Sequence, residues 1–297
     1  MEYVLDSVRR MVKRWVSTAT PITAGVSTGD TDITVRSSIR FREGEEVMLR
    51  DPLRYETGLI IDEIVDNNTV RLTSSVLNNW TVSQNTVLEK TINQMFVQGI
   101  YIGEPEVIPM YPAITVNGLD RNSEWLTLDS TKERYNIQIT TYVLDSTQES
   151  GYRFLLKLTD IIQKGLKKNI FPLVGSYDVL SITADVVFED EYIKVSSTSD
   201  LPDRGRLIIE DQYQSQETWL QEVVDETTIR INQGACYNFD KDDATIIIPN
   251  RFIFNSWPAS VDFGKIHKGD LLKASTISWF AEEEEMQLMR KQDPHLS

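Results

Sequence analysis

Two histidines, His267 and His295, and one cysteine, Cys236, are the whole stock of the side chains that most often bind zinc or carry nucleophilic catalysis. A structural zinc site takes four ligands drawn chiefly from Cys and His, so this chain excludes one in practice. A thiolate–imidazole pair would have to join Cys236 to His267. Cys236 stands where a repeated segment of the same chain has Leu77, which favours apolar packing over chemistry. The phosphate-cradling runs G-x-x-x-x-G-K-[ST] and G-x-G-x-x-G are absent, and so is the nucleophile elbow G-x-S-x-G. Carboxylates are plentiful, yet no local spacing marks an acid–base pair. The run "DKDDAT" at Asp240–Thr245 carries cation-binding oxygens but lacks the glycine and the terminal glutamate of a calcium loop. It reads as a charged hairpin turn. No catalytic, cofactor-binding or metal-binding residue is assigned, and the expectation is a protein that is not an enzyme.

The remaining candidates are residues for contact. Trp125, Leu126 and Leu128, with Leu119, lie in the polar stretch "GLDRNSEWLTLDST", a loop or a long hairpin. A large aromatic in such a place is often an interface anchor, or else it tucks into its own core. Arg9 and Lys13 stand with Arg10 and Arg14 on the basic side of an N-terminal helix, a solvated face or a dock for an acidic neighbour. Glu282 and Glu283 open the run Glu282–Glu285, a solvated face or an acidic surface for a basic partner. Trp80 and Phe239 recur at matched positions, as a small core or as a stacking platform for a sugar.

The elements that hold these residues begin with a repeat. "EIVDNNTVRL" at Glu63–Leu72 returns as "EVVDETTIRI" at Glu222–Ile231, an offset of 159. At that offset Asn79, Trp80, Thr86, Val87 and Leu88 align with Asn238, Phe239, Thr245, Ile246 and Ile247. Upstream, one gap changes the offset to 160, and "ITVRSS" at Ile33 matches "IKVSST" at Ile193. The apolar runs are rich in Val, Ile, Thr and Leu with polar breaks between them, so each copy predicts a small unit of about five short strands, a barrel or a sandwich. Two copies are too few for a solenoid.

Removing the two modules, 21–90 and 190–250, leaves 1–20, 91–189 and 251–297, which read as one α+β core domain. Its expected form is a helix-decorated antiparallel or mixed sheet. Leu5, Val8, Val12 and Trp15 give the first helix an apolar stripe, widened by Val4, Met11 and Val16. Tyr135, Ile137, Ile139, Thr141 and Val143 alternate with polar residues as one face of a strand. Phe154, Leu155, Leu158, Ile161, Ile162 and Leu166 form the stripe of a second helix over 148–168. "LLKASTISWFA" predicts a last strand, and "EEEEMQLMRKQDPHLS" a tail or a short helix.

Composition bounds the rest. Of 297 residues, 40% are hydrophobic and 9% aromatic, as in an ordinary globular chain. A net charge of −15 argues against wrapping nucleic acid as the main task. One cysteine allows no internal disulfide, which suits a reducing cytoplasm. The charged N-terminus does not read as a signal peptide, and no apolar run reaches the length of about 18 residues expected of a membrane span.

The run "YPAITVNG", then "ERYNIQITTYVLDSTQESGYRFLLKLTDIIQKGL", then "LLKASTISWFA" resembles the tail-terminator family of long-tailed bacteriophages. Pro112, Ala113, Ile114 and Val116 match the family's first strand, Tyr135–Val143 the second, Tyr152–Leu166 the helix and Ser275–Phe280 the last strand. The resemblance covers about half of the chain, and the two β modules stand where compact members have loops. It implies a homohexameric ring that caps the tail tube in the virion. The implied partners are the tube protein, a sheath where the tail has one, and the head–tail connector. Other neck, connector and tail-completion proteins share this pattern, and a carbohydrate-binding β-module protein using Trp80 is the reading from another class.

Overall fold

The computed structural model describes the chain except residues 93–94, 104–106, 128–129, 145–147, 169–173, 200, 203, 265–271 and 287–297. Helix α1 spans Glu2–Val16 and is followed by β1 Ala19–Pro21, β2 Asp32–Thr34, β3 Glu46–Arg50, β4 Tyr55–Asp66, β5 Thr69–Leu72 and β6 Val87–Lys90. Then come β7 Gly99–Ile102, β8 Ala113–Thr127, β9 Ser130–Leu144, helix α2 Gln148–Lys168 and β10 Val174–Ser181. The chain continues with β11 Tyr192–Lys194, β12 Gly205–Glu210, β13 Ser215–Asp225, β14 Thr228–Ile231, β15 Thr245–Phe263 and β16 Leu272–Met286. It divides into two compact units, Met1–Val12 with Gln98–Tyr177 and Pro249–Ser297, and Lys13–Val97 with Asp178–Ile248.

The second unit holds both repeats, and each is a closed barrel. In the first, the strand order is β1-β6-β3-β4-β5-β2. The two ends of that order meet in the bridge Ile22–Val35, with Arg36 N–H donating to Pro21 O and Thr23 N–H to Thr34 O. In the second, β10-β15-β12-β13-β14-β11 are neighbours in the same order, closed by Ile182–Val195. Closure removes the open edges that a small sheet would expose. Val70 and Ile229 are fully buried in the two cores, as are Ile33 and Ile193. The expected five strands per copy are six. The extra one, β1 or β10, begins in text that reads as core domain, at Ala19 or Val174.

Register explains the gap in the repeat. Val47 pairs with Leu59 and Leu49 with Glu56, so Thr57 and Gly58 together oppose Met48. The second barrel pairs Leu207–Thr218, Ile208–Glu217 and Ile209–Gln216 without interruption. The extra residue is therefore a β-bulge, and Gly58 accommodates its φ of 80° without a side-chain clash. The alignment of the last strands needs correction. Leu49 pairs with Leu88, and its counterpart Ile209 pairs with Ile246, so Leu88 matches Ile246 rather than Ile247. The loop before β6 is one residue longer, with Val82–Gln84 in a 3₁₀ turn closed by left-handed Asn85. A one-residue slip exchanges the two faces of a strand, which is why apolar text alone did not reveal it.

The first unit contains a sheet ordered β15-β16-β9-β8-β7, antiparallel except for β7–β8. Helix α2 packs on β9 and β16. Its Phe154, Leu155, Leu158, Ile162 and Leu166 are buried, and Thr159 shares a hydrogen bond of 2.6 Å with Ser275. Burying each of the larger apolar side chains contributes about 1.5–3 kcal/mol. They cover the face formed by Tyr135, Ile137, Ile139, Thr141 and Val143, all buried. Met1, at the start of α1, lies close enough to Gly118 that its sulfur would stand 2.9 Å from an added Cβ there. Gly118 pairs with Ile137, so α1 begins on the face that α2 covers.

The expected α+β class does not hold. Among the described residues strands account for 50% and helices for 15%, with two α-helices in all, so the fold is β-rich. The polar stretches account for the difference. Residues 119–127 continue β8, and residues 282–286, read as tail or short helix, continue β16. Their charges are matched across strands, and apolar alternation is not required to hold them in the ladder.

Candidate functional site

The far end of the first unit's sheet gathers most of the contact candidates. Thr131 is the Cα partner of Trp125 on one side and of Glu285 on the other. Trp125 and Leu126 in β8 and Glu282 and Glu283 in β16 thus belong to the two strands that flank β9, at one end of the sheet. The side chains of Trp125, Leu126 and Glu283 lie outside the described residues, as does Leu128 altogether. Leu119 is 59% exposed. Strand β7 pairs with β8 only over Ala113–Val116. Beyond it the outer edge of β8 has no partner strand among the described residues, and Asp120, Arg121 and Glu124 place charges along it. Charged side chains on an edge oppose indiscriminate strand addition.

The acidic run is not simply a solvated face. Glu282 is 3% exposed, with Arg134 Nη2 at 2.7 Å and Lys132 Nζ at 2.9 Å. Glu133, equally enclosed, accepts from Arg121 Nε at 2.8 Å and from Ser123 Oγ at 2.7 Å. The sequence "TKER" in β9 is the counter-charge for "EEEE" in β16, with Glu282 opposite Arg134 and Glu284 opposite Lys132. Arg9 and Lys13 are not part of this end. Arg9 pairs with Asp6 at 2.5 Å, and Lys13 lines a polar cleft of 480 Å³ in the second unit.

In the barrels the conserved positions are structural. Trp80 and Phe239 are each 1% exposed, in their respective cores. Trp80 Nε1 donates to Glu56 Oε2 at 3.3 Å, and the Arg54 guanidinium lies 4.4 Å from the ring centroid. No open ring face is left there for a sugar. Glu56 also receives Leu77 N–H at 2.7 Å, and its counterpart Gln216 receives Cys236 N–H at 2.7 Å. The matched pair Leu77 and Cys236 is exposed, with Leu77 at 74%. The apolar packing role expected for Cys236 is thereby corrected, since both sit on a turn whose backbone, not side chain, faces the barrel.

Residues that sequence reasoning passed over join the two barrels. Arg36 of the first reaches Asp211 at 3.3 Å, Asp243 at 3.4 Å and Asp240 at 3.5 Å of the second. Arg40 donates to Tyr213 O at 2.9 Å, and Asn238 Nδ2 to Arg36 O at 3.0 Å. Burial raises the Asp211 carboxyl above the usual aspartate range, against the pull of Tyr213 and Gln214 N–H and of Arg36. The one signal available was negative: the second copy has Ser196 where the first has Arg36. "DKDDAT" is a turn, as expected, and it also supplies this contact.

No group of three or more metal-ligating side chains occurs among the described residues. His267 and His295 lie outside them. No described helix is long and apolar enough to cross a membrane. No family model matches the chain, and no curated protein matches it. Among solved structures, it is similar to the Gp54 tailspike of Acinetobacter baumannii bacteriophage AP22, in complex with A. baumannii capsular saccharide. That likeness has 16% identity and a TM-score of 0.22, covering 25% of this chain and 15% of the tailspike.

Proposed function

We propose that the chain is a non-enzymatic structural protein of a bacteriophage virion, acting at the head–tail junction as a tail-terminator-like subunit. The observation that supports this reading is the meeting of the segments that carry the resemblance. The strand from Ala113, the strand through Tyr135–Val143 and the strand through Ser275–Phe280 are immediate neighbours in the order β8-β9-β16, although β16 follows β9 by more than a hundred residues. The helix through Tyr152–Leu166 packs on the last two of them. In this reading six subunits form a closed ring on the tube end, and the tube protein and head connector are its partners. Heterologous contacts with a closing rotation produce such rings. The sugar-platform reading loses its residue, because Trp80 is buried in a barrel core.

The test is electron microscopy of particles made with and without the gene. The expected result without it is unattached tails of uncontrolled length, and rings at the tube end with it. Normal particles without it, or a place on distal fibres away from tube and connector, would overturn the proposal.

A further inference from the structure

We infer that the two barrels are a hinged pair, joined by a polar latch that opens and closes while each barrel stays intact as a rigid body. The barrels share no apolar core. Ile33, Leu49, Val70 and Trp80 belong to one buried cluster and Ile193, Ile209, Ile229 and Phe239 to another, and neither cluster takes a residue from the other barrel. Among the described residues no strand of one barrel pairs with a strand of the other. Both barrels are closed, so parting them uncovers neither a core nor a free sheet edge. What joins them is polar. Arg36 pairs with Asp211, Asp240 and Asp243, Arg40 donates to Tyr213 O, and Asn238 donates to Arg36 O. Beside these contacts a cleft of 480 Å³ lies between Arg50 and Asn85 of the first barrel and Gln212 and Tyr213 of the second. The joint is thus not filled like a protein interior. Bodies that meet without a large apolar interface ordinarily move relative to one another.

The charges that the joint encloses gain little from enclosure. Arg40 donates to neutral oxygens, Tyr213 O at 2.9 Å and Thr18 Oγ1 at 3.2 Å, and burial pulls its guanidinium below the usual arginine range. Burial likewise raises the Asp211 carboxyl. Desolvation of such charges offsets most of their attraction, so the closed joint is only marginally favoured, and opening returns both groups to water. The attachments of the barrels permit it. The chain enters the first barrel on β1 and leaves on β6, which pair at Ala19–Glu89. It enters the second on β10 and leaves on β15, again neighbours. Each barrel is therefore held by one two-stranded stem. The inference stands apart from the tail-end reading, because it concerns the purified chain in solution.

The experiment is double electron–electron resonance on the full chain, with nitroxide labels on cysteines in a Cys236→Ser background. One pair, Leu77→Cys with Val187→Cys, spans the two barrels at exposed positions, and a second, Leu53→Cys with Leu77→Cys, lies within the first barrel. The spanning pair is expected to give two distances, the minor one holding on the order of a tenth of the molecules. Arg36→Ala alone leaves the contacts of Arg40 and Asn238 in place and is expected to stay mostly closed. Arg36→Ala with Arg40→Ala is expected to make the minor distance the dominant one. The pair within the first barrel should give one unchanged distance throughout. In the parent chain, a single distance between the barrels as narrow as that within one would overturn the inference, whether or not the double variant folds. So would a double variant that keeps the parent distribution, or one in which the new distance comes with broadening inside the barrel, the mark of unfolding.

Discussion

Gly29 and Glu189 occupy the same position in the two barrels, both with left-handed backbone, at φ of 98° and 73°. Each donates its N–H to the matched carbonyl across the barrel, Val76 O at 2.9 Å and Ala235 O at 2.7 Å. Glycine adopts this conformation freely, whereas a residue with a Cβ is strained by about 1–2 kcal/mol. Glu189→Gly is expected to raise the urea midpoint of unfolding, by about 1 kcal/mol of stability once the extra freedom of the unfolded glycine is subtracted. A lower midpoint would mean that Glu189 makes compensating contacts.

Gly234 is tied to the same site. A Cβ there would lie 2.6 Å from Glu189 O, a backbone atom that cannot swing aside. The first barrel places Ser75 at this position, opposite Gly29, so the two positions exchange their glycine between copies. Gly234→Ala is expected to destabilise by about 1–3 kcal/mol. In the background of Glu189→Gly the cost should shrink, because a glycine backbone yields more readily. A double-mutant cycle reads this as a coupling, and purely additive losses would refute it.

The repeat was legible in the sequence because its turn chemistry is local. Asp66 and Asp225 each accept the N–H two residues on, from Asn68 at 2.7 Å and Thr227 at 2.8 Å, and that Asp-turn is written in the text. Asn79 and Asn238 likewise accept Thr28 and Phe188 N–H. The slip at Leu88 and Ile246 was not legible, since Ile246 and Ile247 are equally apolar. Nor was Arg36, whose ion partners are at least 175 residues away. The long ends of β8 and β16 were missed because their ladder is stabilised by charge pairs rather than by alternating apolar residues.

Asp225 predicts the response of the second barrel to acid. The N–H of Thr227 and the hydroxyl of Thr228 hold its carboxyl below the usual aspartate range. A folded value below the unfolded one gives stability that is present above the unfolded pKa and is lost as pH falls through the folded one. Asp225→Asn should therefore weaken the protein at neutral pH and flatten its loss of stability on acidification. Denaturation midpoints across the acid range check this, and parallel curves for both proteins would contradict it.

Glu282 should behave as an anchor of the sheet end. It is enclosed between Lys132 and Arg134, which are themselves partly in water at 24% and 48% side-chain exposure. Glu282→Ala removes a charge-assisted pair worth about 1.5–3 kcal/mol. Because its partners can turn to solvent, the loss should stay near the lower figure. Hydrogen exchange should quicken first in β9 at Lys132–Arg134 and leave the barrels unchanged. A uniform change over the chain would rule out the local role.

Arg36 gives a pH dependence of opposite sign. Its guanidinium is the counter-charge for Asp211, whose side chain is fully enclosed, and for the more exposed Asp240 and Asp243. Arg36→Ala leaves the buried carboxylate uncompensated, and removing one partner of such a pair costs about 3–5 kcal/mol when both are buried. The two exposed aspartates keep their water, and Tyr213 and Gln214 still donate to Asp211, so about 2 kcal/mol is the expected loss at neutral pH. The Asp211 carboxyl is already raised by burial, and without the cation it rises further. A group whose folded pKa exceeds its unfolded one contributes stability that is present at low pH and is lost as pH rises through the folded value. The variant should accordingly lie closest to the parent protein in mild acid and fall behind as pH increases. Urea midpoints at about pH 5 and about pH 8 separate the outcomes. A deficit that is constant, or larger in acid, would show that Arg36 does not hold the barrels through Asp211.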